Sequence, residues 1–132
     1  MSGLAVLAVF GGAGCGALFR WGLGSWLNPV LPTLPLGTVA ANLVGGLLVG
    51  LASGFFSHHG GLAPEWRLLV FTGFLGGLTT FSTFSAEVIG MLQRQQYGWA
   101  FGTASLHLLG SLLLTALGIG LANALFVRLA QA

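Results

Sequence analysis

The stretch Gly73-Phe74-Leu75-Gly76-Gly77-Leu78-Thr79-Thr80-Phe81-Ser82-Thr83-Phe84-Ser85 lies within a long apolar run and decides the fold. It carries three glycines and five hydroxyl side chains. Inside a bilayer an unpaired backbone group costs several kcal/mol, so weak helix formers are tolerated only where protein or water surrounds them. We therefore expect this stretch to interrupt a membrane span and to line a pathway or a binding site.

The composition around this stretch is that of an integral membrane protein. The chain has 132 residues, of which 55% are hydrophobic and 5% are charged, whereas a soluble domain is about a quarter charged. The net charge of +2 is too small and too scattered to indicate nucleic acid as a partner. Because Cys15 is the single cysteine, an internal disulfide and a thiolate metal cluster are both excluded.

Four windows of the sequence are long and apolar enough to span a membrane, since a transmembrane helix needs roughly 20 mainly apolar residues. We predict one all-α domain over residues 1–132 with its third helix broken mid-span. No Lys or Arg precedes the first apolar run, which favours a retained span over a cleaved secretion signal. The predicted spans cover about residues 4–26, 36–56, 66–91 and 99–126.

The arginines give the chain no preferred orientation in the membrane. With four spans both termini share one side, which receives Arg67 and Arg128. The opposite side receives Arg20 and Arg94, so the two sides carry equal charge. Because the Lys/Arg imbalance sets orientation, we predict that subunits insert both ways up and form an antiparallel, dual-topology homodimer. The alternative is that other features fix a single topology.

Polar side chains within the predicted spans recur at helical spacing, so each set shares one face of its helix. Such rows must contact protein or water rather than lipid. The second span carries Thr38 and Asn42, followed at the same spacing by Gly46, Gly50 and Gly54. The third span carries Thr80, Thr83 and Glu87, and the fourth carries Thr103, His107, Ser111 and Thr115.

This polar lining suits an anion. The Asn42 amide and the hydroxyls donate hydrogen bonds, and the ring edges of Phe81 and Phe84 carry partial positive charge. Glu87 is the one acidic residue within a span, so no carboxylate ring of the kind used by cation pores is present. Arg20, near the end of the first span, can hold positive potential at a vestibule. Phe pairs at this spacing are also typical of core packing, and span hydroxyls also join helices, so the residues alone leave the ion open.

The chain resembles the Fluc (CrcB) family of fluoride channels along essentially its whole length. The resemblance rests on residues 11–14 with Arg20-Trp21, on residues 37–46 and on residues 72–87. It implies a passive, fluoride-selective channel, not an enzyme, that exports cytoplasmic fluoride and gives fluoride resistance. It also implies a multi-pass protein of the bacterial inner membrane, with two pores in each antiparallel homodimer.

The resemblance further implies roles for individual residues. Phe81 and Phe84 would form an aromatic box whose ring edges face fluoride, and Asn42 would donate to the ion. The backbone carbonyls of Gly76 and Thr79 would hold a structural Na⁺ at the dimer axis, because a cation can satisfy unwound backbone at membrane depth. The polar track would contain Thr38, Ser82, Thr83, His107, Ser111 and Thr115.

Three other functions remain open. A small dual-topology, proton-coupled multidrug exporter also uses four spans, and the carboxylate that its cavity needs would be Glu87. An intramembrane hydrolase would use His107 with a serine, but no orienting acid or nucleophile motif accompanies them. A non-conducting assembly subunit would give no ion flux when purified alone.

Overall fold

The computed structural model describes all 132 residues, which form helices joined by short loops. The helices are Gly3–Leu27 (α1), Leu36–His58 (α2), residues 64–78 (α3), Phe81–Gln93 (α4) and Tyr97–Gln131 (α5). Four segments are long and apolar enough to cross a membrane, namely Gly3–Val30, Leu36–His58, Pro64–Gln93 and Tyr97–Gln131. The chain is therefore an all-helical, multi-pass membrane protein with four long apolar helices.

The segments lie close to the windows expected from hydropathy. The third predicted window, 66–91, corresponds to Pro64–Gln93. The largest difference is at the end of α5, which continues five residues past residue 126 to Gln131. Four of the added residues, Arg128 to Gln131, are good helix formers, and Arg128 in the last turn interacts favourably with the negative end of the helix dipole.

The third span is irregular over most of its length. It begins as an α-helix at Pro64–Arg67, widens into a π-helix at Leu68–Leu75 and returns to α-helix at Gly76–Leu78. Helical backbone then stops, and α4 begins at Phe81. The hydropathy pattern does not predict these π-helical turns, which are rare and often accompany functional sites.

Glycines bring α1 and α3 into backbone contact. A Cβ atom at Gly12 would lie 2.5 Å from the Leu69 carbonyl oxygen, and one at Gly16 would overlap the Phe74 carbonyl oxygen. On the other helix, a Cβ atom at Gly77 would overlap backbone of α1. Small residues at four-residue spacing let membrane helices approach this closely. This contact holds the first half of the interrupted span in place.

The polar row of α2 packs directly against the polar row of α5. A Cβ atom at Gly46 would lie 3.1 Å from the Ser111 carbonyl oxygen, and one at Gly50 would overlap the Thr115 carbonyl oxygen. The Thr115 hydroxyl also donates to the Gly46 carbonyl oxygen at 2.8 Å. Because the two rows run alongside each other, one turn earlier Asn42 lies next to α5.

Few residues are buried within the single chain. Only 20 of 132 are buried, and large apolar side chains such as Phe10, Phe81 and Leu113 are exposed. In a bilayer, lipid tails or a second copy of the chain cover such surfaces without the penalty that water would impose. The exposed apolar surface therefore fits a membrane environment.

Candidate functional site

The site is built around the interruption between α3 and α4. Thr79 and Thr80 have extended backbone, with φ and ψ of −84° and 152° at Thr79 and −150° and 118° at Thr80. The Thr80 side chain caps α4 by accepting the Thr83 N–H at 3.1 Å. A helix that stops at membrane depth needs substitutes for the hydrogen bonds it loses. Side chains from α1 and α2 supply several of these.

Asn42 satisfies the backbone of Thr80 at two points. Its Oδ1 accepts the Thr80 N–H at 2.8 Å, and its Nδ2 donates to the Thr80 carbonyl oxygen at 2.9 Å. The same Nδ2 lies 3.0 Å from His107 Nδ1 on α5. Asn42 therefore links the interruption to its own helix, α2, and to α5.

Arg20 satisfies a second backbone group near the end of α3. Its Nε donates to the Gly77 carbonyl oxygen at 3.0 Å, and the side chain is part-buried. A cavity of about 330 Å³ lies beside it, with Thr38, Thr80 and Thr83 among the lining residues. The guanidinium thus carries positive charge at the wall of a polar cavity.

The carbonyls of Gly76 and Thr79 are among those that lose their helical donors at the interruption. In a continuous α-helix each carbonyl accepts from the N–H four residues later. The Thr80 N–H, which would reach Gly76, donates instead to Asn42. The Thr83 N–H, which would reach Thr79, donates instead to the Thr80 hydroxyl. The interruption therefore frees the carbonyls of Gly76 and Thr79 from helical hydrogen bonding, and Gly76 is exposed on the chain surface.

A larger cavity of about 460 Å³ lies on the other side of Thr80, which lines both cavities. Its lining contains no charged side chain and includes Asn42, Thr79, Phe81, Phe84, His107 and Ser111. The Phe81 and Phe84 ring centroids are 5.6 Å apart, and the Phe84 ring lies 4.6 Å from the His107 ring. Phe81 is 79% exposed, so this cavity is open at the surface of the single chain.

Thr38 and Glu87 form a separate polar contact between α2 and α4. The Thr38 hydroxyl donates to Glu87 Oε1 at 2.5 Å. The second carboxyl oxygen, Oε2, is buried without a hydrogen-bond partner. Thr38 lines the smaller cavity, whereas Glu87 lines neither of the two polar cavities.

The remaining predicted track residues divide into three groups. Ser82 and Thr83 lie beside the Thr80 hydroxyl, at 3.3 and 3.1 Å between side-chain oxygens. Ser111 lines the larger cavity. Thr115 lines neither polar cavity and is hydrogen-bonded to backbone of α2. The interruption and the two cavities thus bring together most, but not all, of the predicted residues.

The sequence matches the family described as CrcB-like protein, Camphor Resistance (CrcB), over residues 7–119. The chain belongs to the CrcB family. The match includes the interruption at Thr79 and Thr80, the Asn42 contacts and both polar cavities.

Curated relatives in the CrcB family are similar over most of the chain, and each is named fluoride-specific ion channel FluC. The protein of Polynucleobacter asymbioticus is 58% identical over 88% of this chain and 93% of its own length. That of Cupriavidus taiwanensis is 60% identical over 90% of this chain and 94% of its own length. That of Albidiferax ferrireducens is 61% identical over 88% of each chain. These names describe a channel rather than an enzyme.

The sequence did not predict that Thr80 lies at the interruption of this CrcB-family chain and lines both polar cavities. It placed Thr80 on one helical face with Thr83 and Glu87, whereas Thr80 is extended and ends that helix. The residues that contact Thr80 and Gly77 lie 38 and 57 positions away in the sequence. A signal was present in the Gly-Gly-Leu-Thr-Thr run, whose weak helix formers permit the interruption.

Proposed function

We propose that the protein is a passive, fluoride-selective channel that exports cytoplasmic fluoride and gives fluoride resistance. The observation that carries this proposal is the larger cavity, where amide and hydroxyl donors stand beside two phenylalanine rings with no charged side chain. Membership of the CrcB family and the names of the relatives support fluoride as the ion.

Neutral donors suit the conduction of a small anion. N–H and O–H groups and aromatic ring edges present partial positive charge, which attracts fluoride without holding it permanently. Conduction requires binding that is strong enough for entry and weak enough for release. Arg20 stays at the smaller cavity, where it raises the local anion concentration, while its hydrogen bond to Gly77 keeps it out of the larger cavity.

Two copies in opposite orientations would complete the channel. The equal distribution of arginines permits insertion both ways up. The exposure of Phe81 and Gly76 leaves a surface for the second copy to cover. In this arrangement the two copies form two pores, one for each set of Asn42, Phe81 and Phe84.

A structural Na⁺ would lie between the two copies. Carbonyl oxygens of unwound membrane helices are suitable ligands for Na⁺, and Gly76 and Thr79 have lost their helical donors. Each copy would contribute these two carbonyls. The ion would supply positive charge that satisfies the carbonyl dipoles at membrane depth.

Passive export follows from the chemistry of fluoride in bacteria. Neutral hydrogen fluoride crosses a bilayer and releases its anion in a less acidic cytoplasm. A channel in the inner membrane lets the anion leave, driven by the negative-inside potential, which contributes about 2.3 kcal/mol per charge per 100 mV. No energy-coupling step is required.

Glu87 supports a second candidate function, a small proton-coupled multidrug exporter. A carboxyl group within a span, with one oxygen buried and unpartnered, is the kind of group that exchanges protons in transporters. However, Glu87 lies outside the lining of both polar cavities, so the geometry favours the channel.

Liposomes containing only this protein test the proposal. After loading with potassium fluoride, they should release fluoride when valinomycin allows compensating potassium flow, with no proton gradient imposed. Chloride-loaded liposomes are the matched ion control. Fluoride release that requires a proton gradient, or equal release of chloride and fluoride, would refute a passive fluoride-selective channel.

A further inference from the structure

The backbone of Thr80 fixes the orientation of the Asn42 amide. The group that faces the Thr80 N–H must be the acceptor Oδ1, and the group that faces the Thr80 carbonyl must be the donor Nδ2. One Nδ2 hydrogen therefore points to Thr80, and the remaining hydrogen points to His107 Nδ1 at 3.0 Å. Both N–H groups of Asn42 are thus already engaged.

This orientation assigns the tautomer of His107. Because Nδ1 faces an N–H, it must present its lone pair, and the neutral ring then carries its proton on Nε2. Nε2 is buried and has no hydrogen-bond partner, and the side chain is only 5% exposed. The ring is also packed against Phe84. His107 is therefore held in the cavity wall with its acceptor nitrogen directed at Asn42.

An anion in the larger cavity can bind the Asn42 amide only if one of these two hydrogen bonds breaks. Breaking the hydrogen bond to Thr80 would leave the Thr80 carbonyl unpaired at membrane depth, which is costly. Breaking the hydrogen bond to His107 costs less, because Nδ1 accepts only this one hydrogen bond and His107 lines the cavity that the anion enters. The larger cavity is lined by Asn42, His107 and both phenylalanines, so the anion and the His107 nitrogen approach the same N–H.

We propose that His107 is a positioning residue that reserves one N–H of Asn42, and that fluoride binds the amide by displacing His107 Nδ1. This rests on the fluoride conduction proposed above. The ring competes with the ion, so it weakens fluoride binding at Asn42 and speeds release. His107 thereby sets how tightly the cavity holds its anion.

Two substitutions of matched design separate this role from packing. His107→Phe keeps an aromatic ring against Phe84 but removes the acceptor nitrogen. His107→Asn restores an acceptor oxygen at about the position of Nδ1. In fluoride uptake by liposomes, His107→Phe should lower the half-saturating fluoride concentration about fivefold, the equivalent of one neutral hydrogen bond. His107→Asn should return it towards the value of the unsubstituted protein. Equal half-saturating concentrations in all three proteins would overturn the proposal, as would equal shifts in both variants.

A spectroscopic measurement tests the same contact without transport. His58→Asn and His59→Asn leave His107 as the one histidine of the three, so its ring nitrogens are resolved by ¹⁵N NMR of histidine-labelled protein. We expect protonated Nε2 and an unprotonated, hydrogen-bonded Nδ1. Sodium fluoride should move the Nδ1 resonance towards that of a free lone pair, and sodium chloride should not. A proton on Nδ1, or no response to fluoride, would overturn the inference.

The two proposals fail in different ways. If the unsubstituted protein releases no fluoride from liposomes, the proposed function is wrong. If it conducts fluoride but His107→Phe leaves the half-saturating concentration unchanged, only the role of His107 is wrong.

Discussion

Replacing Asn42 by alanine tests how the interrupted helix is stabilised. The substitution removes both hydrogen bonds to Thr80, at 2.8 and 2.9 Å, together with the contact to His107. It leaves a backbone N–H and a backbone carbonyl without partners. Each buried unpaired group costs about 1–3 kcal/mol, and Thr80 is only part-buried. We therefore expect Asn42→Ala to lower the free energy of unfolding by about 2–4 kcal/mol.

This estimate exceeds what most hydrogen bonds contribute in membranes. Such bonds average about 0.6 kcal/mol, because the partly unfolded chain in the membrane finds other partners. The backbone of Thr80 has fewer alternatives, since its extended conformation prevents it from joining either α3 or α4. The size of the loss therefore shows whether Asn42 is a structural clamp, meaning a side chain that the Thr80 backbone cannot replace, or makes an ordinary interhelical contact.

Unfolding in mixed detergent micelles, followed by the fluorescence of the four tryptophans, measures the loss. Ser111→Ala is the matched control, because Ser111 lines the same cavity and makes none of these contacts. Hydrogen exchange at the Thr80 amide should also accelerate in Asn42→Ala alone. If the two variants unfold within about 0.5 kcal/mol of each other, the two-point contact with Thr80 is not a clamp.

Three further predictions concern conduction and packing. Asn42→Asp should block fluoride release from liposomes, because a carboxylate repels the anion; normal release would remove this residue from the pathway. Phe81→Ile and Phe84→Ile should each slow fluoride release roughly two- to tenfold, the equivalent of about 0.5–1.5 kcal/mol of aromatic interaction, while the elution volume in size-exclusion chromatography stays that of the unsubstituted protein. An unchanged rate would assign these rings to packing alone. Gly50→Ala should destabilise the protein by about 1–3 kcal/mol because its Cβ would overlap backbone of α5. Gly102→Ala, with nothing within 4 Å, is the control and should be neutral or stabilising; equal unfolding curves for the two would contradict the packing of α2 on α5.

The sequence predicted the positions of the long helices. Apolar windows located the four long helices, since a bilayer demands a fixed length of apolar helix. Periodicity placed Asn42 and His107 on polar faces, because residues four apart share one side of a helix. The glycines and hydroxyls of the run from Gly73 to Ser85 indicated an irregular segment.

Tertiary structure decided which groups meet. The deciding contacts join residues that are far apart in the sequence. Asn42 binds Thr80 across 38 positions, Arg20 binds Gly77 across 57, and Thr38 binds Glu87 across 49. Local patterns do not determine such pairs, because each depends on how whole helices cross.

By itself, the sequence determined an all-helical membrane protein with a weak point in its third span and polar faces on its neighbours. Those properties follow from the local chemistry of hydrophobic length, periodicity and helix propensity. Only the tertiary structure decided that the helix ends at Thr79 and Thr80 and that an asparagine from α2 replaces its missing hydrogen bonds. The reason is that a backbone break at membrane depth persists only when distant side chains satisfy it.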